Sequence, residues 1–266
     1  MSTTVSGGLV IAGERSGVGK TTVTLALLAA LAQTSSRVQS FKVGPDYIDP
    51  MFHRQATGRP CYNLDPILTS ESYVQHCFAH RCQDADFALV EGVMGLFDGA
   101  SGRSDVASTA HIARLLHLPV LLVVDCSRLS RSVLAIVHGY RTLDPQVQLA
   151  GVVLNRVGSD RHLELLTDAL SSIALPILGV LRRQEAIALP DRHLGLVPTA
   201  ELPQLPDILT RLAHLGHTRF DWAALTPLLK RSPTHPSTHD SRDRADTEVC
   251  PYPPAHLSDT GQTQRS

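Results

Sequence analysis

Residues 13 to 22 read Gly-Glu-Arg-Ser-Gly-Val-Gly-Lys-Thr-Thr, between the apolar run Leu9-Val10-Ile11-Ala12 and an Ala/Leu-rich stretch that begins at Val23. A glycine-rich turn joining a buried strand to a helix is a phosphate cradle. Gly17 and Gly19 let the backbone turn tightly, so that the segment Ser16, Gly17, Val18, Gly19, Lys20, Thr21 and Thr22 wraps an anion with inward N–H groups. Lys20 would bridge the outer phosphates, and Thr21 would place its hydroxyl on Mg²⁺ at the positive end of the helix. The spacing departs from the usual form in one respect: Glu14 stands where a glycine is expected, and Gly13 lies one residue further out. The strand-turn-helix context outweighs that departure, and the residues imply binding of a nucleoside triphosphate.

Two further segments carry chemistry. Phe41-Lys42-Val43-Gly44-Pro45-Asp46-Tyr47-Ile48-Asp49-Pro50 ends a strand in glycine and proline punctuation and projects Asp46, Tyr47 and Asp49. Lys42 inside a strand is either an edge residue snorkelling to solvent or a cation at the strand's carboxyl end that stabilises a transferring phosphoryl group. Leu89-Val90-Glu91-Gly92-Val93-Met94-Gly95-Leu96-Phe97-Asp98-Gly99 places an acid at a strand terminus before a glycine-spaced loop. Mg²⁺ in phosphoryl transfer takes a Ser/Thr hydroxyl and one or two carboxylates, so Thr21, Glu91 and Asp46 form the expected cation set. Asp98 is open between a substrate contact and a turn-forming aspartate before glycine.

The elements that must position these residues follow from the apolar runs. Val38 to Val43, Phe87 to Val90, Val120 to Val124, Gly151 to Leu154 and Ile177 to Leu181 recur with helical stretches between them. Runs rich in β-branched residues without period-2 alternation predict strands buried on both faces. The fold class is therefore α/β, a mostly parallel sheet flanked by helices, and its ligands bind beyond the carboxyl ends of the strands.

At 266 residues, 43% hydrophobic and a formal net charge of −1, the chain can bury a large core, and its charge favours neither nucleic acid nor a membrane surface. Its apolar stretches are too short to span a bilayer and its first residues lack a signal core, so a cytoplasmic location is expected. The five cysteines form no pair at two-residue spacing, which argues against a disulfide framework or zinc site. His76 and His80 read as a solvated helix face rather than a metal pair.

With these motifs in one order, the chain resembles the cobyrinic acid a,c-diamide synthases, ATP-dependent amidoligases within the dethiobiotin-synthetase-like group of P-loop enzymes. The resemblance rests on the loop Ser16 to Thr22, on Lys42 to Pro50, on Asn63-Leu64-Asp65, on Glu91 to Gly99, on Gly151-Val-Val-Leu-Asn-Arg156, and on Arg192-His-Leu-Gly-Leu196 with Glu201. It implies a P-loop fold of the dethiobiotin-synthetase type, ATP and Mg²⁺ as cofactors, and phosphorylation of acetate carboxylates on a corrinoid or related tetrapyrrole before ammonia displaces phosphate. By the same resemblance Lys20, Lys42 and Asp46 are catalytic, and Asn155 contacts adenine with Arg156 beside it. Asp46, Tyr47 and Asp98 would lie on the substrate side. The Arg192-His193 pair is expected to orient a loop rather than do chemistry.

In that family a glutamine amidotransferase domain follows. Here the composition shifts from about Lys230 to Ser, Thr, His, Pro and Asp. The expectation is a 1–229 ATP-binding amidoligase domain and a disordered 230–266 tail, in which Cys250 lacks the turn a nucleophile needs. Ammonia would come from a separate glutamine amidotransferase subunit or from solution, a truncated inactive product is the third reading, and a homodimer is left open. Another function class stays open as well: a partition-type P-loop ATPase switch, although such proteins carry a lysine where this loop has Arg15.

Overall fold

The computed structural model describes residues 7–183 and 204–230. The Arg192-His193 pair, Glu201, Cys250 and all but the first residue of the expected tail lie outside them.

Within the described residues the chain alternates strand and helix around one parallel sheet. The strands are β1 (Leu9–Gly13), β2 (Val38–Val43), β3 (Tyr62–Leu64), β4 (Phe87–Glu91), β5 (Val120–Asp125), β6 (Leu149–Val157) and β7 (Ile177–Arg182), in spatial order β3-β2-β4-β1-β5-β6-β7. All strand pairs are parallel. The helices are α1 (Lys20–Gln33), α2 (Asp49–Thr57), α3 (Glu71–Arg81), α4 (Thr109–Leu116), α5 (Ser132–Leu143), α6 (Asp160–Leu170), α7 (Leu205–Arg219) and α8 (Trp222–Leu229). No helix among the described residues is long and apolar enough to cross a membrane.

The continuous apolar runs have a direct structural cause. Each central strand feeds two cores, one on each face of the sheet. In β1, Val10 and Ala12 enter a cluster with Phe41, Phe78, Val90, Ile112 and Leu122, while Leu9 and Ile11 enter another with Leu25, Leu28, Leu121, Leu212 and Leu225. With both faces apolar, alternation vanishes from the sequence. The helix α1 is apolar almost all round for the same reason, because it lies against the sheet and against α7. A Cβ at Gly216 of α7 would stand 2.2 Å from the Ala26 carbonyl oxygen and 2.7 Å from the Ala30 Cβ, so glycine sets this close helix approach.

One strand escaped the sequence pattern. β3 is three residues long and sits at the sheet edge, paired with β2 through Phe41–Tyr62, Lys42–Asn63 and Val43–Leu64. Its placement makes β2 an interior strand, which removes the edge-residue reading of Lys42. Polar Gln39 is tolerated in β2 where its Nε2 donates to the Pro60 carbonyl at 2.8 Å, part of the lead into β3.

Candidate functional site

The phosphate loop lies between β1 and α1 at the carboxyl edge of the sheet. Gly17 (φ +76°) and Gly19 (φ +97°) occupy the left-handed region that side chains disfavour. α3, α4 and α6 are entered by Ser70, Ser108 and Ser159, each of which accepts a first-turn N–H. α1, like α2, α5 and α7, has no side-chain cap; its N-cap is Gly19 and its first turn holds no acid. Its leading N–H groups are thus left to an anion, and the helix dipole favours one there. Ser16 and Gly17 are exposed, Thr21 and Thr22 half-buried, and Val18 anchors the loop in the core.

Lys20 is nearly buried and its Nζ donates to the Met94 carbonyl at 2.5 Å and to the Arg15 carbonyl at 3.4 Å. Burial, and then the neighbouring charge of Lys42, push its ammonium down to about 8 against the pull of Glu91 and Asp49. An added phosphate would supply the anion that this cation faces.

Behind Thr21 lies a buried polar cluster. The Thr21 hydroxyl donates to Glu91 Oε1 at 2.6 Å, and Lys42 Nζ donates to the same oxygen at 3.1 Å. Lys42 also reaches Asp49 Oδ2 at 2.8 Å and the Gly92 carbonyl at 2.9 Å. Glu91 Oε2 lies 2.6 Å from His53 Nε2, and Cys61 Sγ lies 3.3 Å from His53 Nδ1. Burial alone would raise the Glu91 pKa, but Lys42, His53 and Thr21 together hold it below the ordinary carboxylate range. Burial opposes the charge on Lys42 too, and Glu91 and Asp49 hold it above the ordinary lysine value. Asp49 is pushed up to about 6, by burial first and by Glu91 second, with Lys42 opposing. His53 rises to about 10 in spite of burial, through Cys61 and Glu91. Glu91 is therefore an ionised acceptor, and Thr21, Lys42 and His53 donate to it.

The three residues of the expected cation set sit differently. Thr21 and Glu91 are in direct contact, but Asp46 Oδ1 accepts the backbone amides of Ile48 at 2.8 Å and Asp49 at 3.1 Å, closing the turn that starts α2. The carboxylate seated on Lys42 belongs to Asp49, three residues on. The sequence held a signal for this, since Asp-x-x-Asp-Pro is an Asx turn followed by a helix start with proline in its first turn. Among the described residues no group of three or more His, Cys, Asp or Glu side chains makes a self-contained metal site. The oxygen donors at Thr21 and Glu91 suit Mg²⁺, which completes its shell with water and substrate phosphates.

Asn155 and Arg156, at the end of β6, both grip the phosphate loop. Asn155 Nδ2 donates to the Val18 carbonyl at 2.7 Å, and a Cβ on Gly19 would lie 2.3 Å from that nitrogen. Arg156 donates to the Gly17 carbonyl at 3.2 Å and to Asp125 Oδ2 at 2.6 Å. Arg15 reaches the same Asp125 oxygen at 3.1 Å, and Glu14 Oε1 accepts the Asp125 amide at 3.2 Å. Burial would raise Asp125, yet Ser127 and Arg156 pull it down to about 2. Asp125 and His53 were not singled out from the sequence, and Asp49 and Glu14 were named there without a role in the site. A cavity of about 410 Å³ opens beside this corner, lined by Glu14, Arg15, Asp125, Ser127, Arg128, Leu129 and Ile136.

In the loop after β4, Asp98 Oδ2 accepts the Gly95 amide at 2.8 Å, the turn-forming alternative for this residue. Tyr47 is 62% exposed in the loop after β2, and Met94 is 52% exposed in the loop after β4, so both present apolar surface beyond the sheet's carboxyl edge.

Residues 9–197 match the family described as CbiA, the CobQ/CobB/MinD/ParA nucleotide binding domain. The chain is 66% identical over 224 residues to a cobyrinate a,c-diamide synthase of Synechococcus sp., covering 84% of this chain and 49% of that protein. It is 62% identical over 231 residues to the protein of the same name from Synechocystis sp., covering 86% and 48%. A hydrogenobyrinate a,c-diamide synthase of Streptomyces coelicolor is 54% identical over 193 residues, covering 73% and 40%. The chain spans about half the length of these curated relatives.

Proposed function

The chain belongs to the CobQ/CobB/MinD/ParA nucleotide binding domain family, and on that premise we propose that it is the ATP-dependent activating domain of an amidoligase that acts on cobyrinic acid or a closely related corrinoid. The observation that carries the reading is the meeting of Lys20, Thr21, Glu91 and Lys42 at one edge of the sheet, beside an uncapped helix start.

The chemistry follows from what a carboxylate cannot do. It does not react with ammonia, because oxide is not a leaving group. An acetate oxygen of the corrinoid attacks the terminal phosphorus of ATP, ADP departs, and the product is an acyl phosphate. Ammonia then adds at the acyl carbon and inorganic phosphate leaves, which yields the amide; the proton shed by nitrogen passes to solvent. Phosphoryl transfer asks for positioning and for charge stabilisation more than for proton shuttling. Lys20 meets the outer phosphates as they change charge, and the N–H groups of the loop and α1 hold the rest. Mg²⁺, when bound by Thr21 and by Glu91 directly or through water, supplies charge neutralisation at the phosphate oxygens. Lys42, fixed by Asp49 and Glu91, keeps a permanent positive charge next to the transferred group.

Asn155 and Arg156 serve the nucleotide by holding the loop in its cradle shape, with adenine contact by Asn155 part of the same reading. Tyr47 and Asp98, on loops beyond the sheet edge, face the corrinoid, and Asp46 orders the turn between them and Lys42. Ammonia comes from solution or from a glutaminase, and the protein acts in the cytoplasm.

The test is phosphate release by the purified chain with ATP, Mg²⁺ and ammonium, with and without cobyrinic acid, while mass spectrometry follows the corrinoid. Amide formation that disappears in Lys20→Ala is the expected result. ATP-dependent dimerisation with no amide product would favour a positioning switch instead. Turnover with glutamine but not ammonium by this chain alone would contradict the proposed division of labour.

A further inference from the structure

We propose that His53 is a positioning residue of the nucleotide site, acting through the second oxygen of Glu91. The inference rests on the reading of Thr21 and Glu91 as the Mg²⁺ side of that site.

Glu91 is fully buried at the end of β4, and its two oxygens have divided tasks. Oε1 takes the Thr21 hydroxyl and Lys42, while Oε2 faces His53 Nε2 at 2.6 Å. The last torsion of a glutamate is broad and roughly two-fold, so the chain itself does not fix the plane of the carboxylate. The bond to His53 on one oxygen, opposite those of Thr21 and Lys42 on the other, does. The histidine is also fully buried, on α2, and its far nitrogen rests against Cys61 Sγ at 3.3 Å, in the segment that leads into β3. The ring is thus pinned from both sides, and three elements converge on one carboxylate.

The consequence reaches the cradle through Thr21. A hydroxyl has one proton and two lone pairs. With its proton committed to Glu91 Oε1, Thr21 turns lone pairs toward the phosphate side, where a hard cation takes oxygen donors. If the carboxylate were free to rotate, the hydroxyl would lose its acceptor and its orientation. Groups placed behind a metal ligand commonly set its affinity in this way.

The experiment follows a fluorescent ATP analogue on the purified chain, titrated with Mg²⁺ and separately in excess chelator, for wild type, His53→Leu and His53→Gln. Glutamine can present its amide nitrogen where Nε2 stands; leucine cannot. The expected result is a Mg²⁺ half-point raised about 10- to 100-fold in His53→Leu, with metal-free nucleotide affinity unchanged and most of the shift recovered in His53→Gln. A folded His53→Leu with the wild-type half-point would overturn the inference. Equal loss of metal-free affinity in both variants would also overturn it, since that marks a role in folding only. If His53→Leu does not fold, Cys61→Ala against Cys61→Ser carries the test: a raised half-point in Ala and not in Ser supports the inference, and no change in either overturns it. Wild-type binding indifferent to Mg²⁺ would overturn the cation reading underneath and this inference with it. Variants indifferent beside a Mg²⁺-dependent wild type would overturn the inference alone.

Discussion

Gly19→Ala should damage the protein through one identifiable contact. The residue has φ +97°, and a Cβ built on it stands 2.3 Å from the Asn155 amide nitrogen, which itself donates to the Val18 carbonyl at 2.7 Å. Two costs follow. An L side chain in the left-handed region costs roughly 1–2 kcal/mol. The Asn155 amide must also withdraw, which leaves the Val18 carbonyl without that donor and costs about 1–3 kcal/mol. The sum, about 2–5 kcal/mol, corresponds to a fall in Tm of about 2–4 °C for each kcal/mol in a domain of this size. The two costs separate in a double-mutant cycle. Asn155→Ala alone pays only for the lost hydrogen bond, and adding Gly19→Ala to it should then cost the backbone strain and little more. The coupling is therefore expected at about 1–3 kcal/mol, read from thermal unfolding of the four proteins without nucleotide. Strict additivity would refute the reasoning, because it would mean that the alanine methyl never meets Asn155. A loss below about 0.5 kcal/mol for Gly19→Ala, the range of inert surface changes, would refute it as well.

Two other outcomes follow from the charged clusters. Lys42→Met leaves Glu91 and Asp49 buried without their shared cation and should cost about 3–5 kcal/mol, while Asp49→Asn should cost clearly less, because Asp49 already sits at about 6 and gives up its charge most readily of the cluster; denaturant midpoints check the order, and equal losses would contradict it. Asp125, held at about 2, contributes stability that is full above the ordinary aspartate value of 3.8 and fades as pH falls toward 2, so the Tm gap between wild type and Asp125→Asn should be widest near neutrality and shrink below pH 4; a gap that grows with acid would show the sign to be wrong.

The phosphate loop was fully legible because all its information is local: Gly17, Gly19, Lys20 and Thr21 lie within five residues, and the runs on either side declare a strand and a helix. The strands β1, β2, β4, β5, β6 and β7 were legible because burial on two faces leaves an unmistakable apolar run. β3 was not, since three residues at a sheet edge carry too little pattern, and with it went the proof that Lys42 is interior. The sequence projects both Asp46 and Asp49, and only the turn geometry shows that Asp46 spends an oxygen on the amides of Ile48 and Asp49 while Asp49 is the carboxylate seated on Lys42.

By itself, then, the sequence determined the alternation of strand and helix, the phosphate-binding turn and the acid at the end of β4. The cluster behind Thr21 was decided by tertiary structure alone. Lys42 and Glu91 stand 49 residues apart and become direct neighbours because β2 pairs with β4 in the register that sets Lys42 opposite Glu91. His53 and Cys61 reach them only because α2 and the lead into β3 fold over that same end. Local propensity encodes the period of an element but not the order of strands in a sheet, and the order is what brings a lysine, two carboxylates, a histidine and a thiol to one buried point.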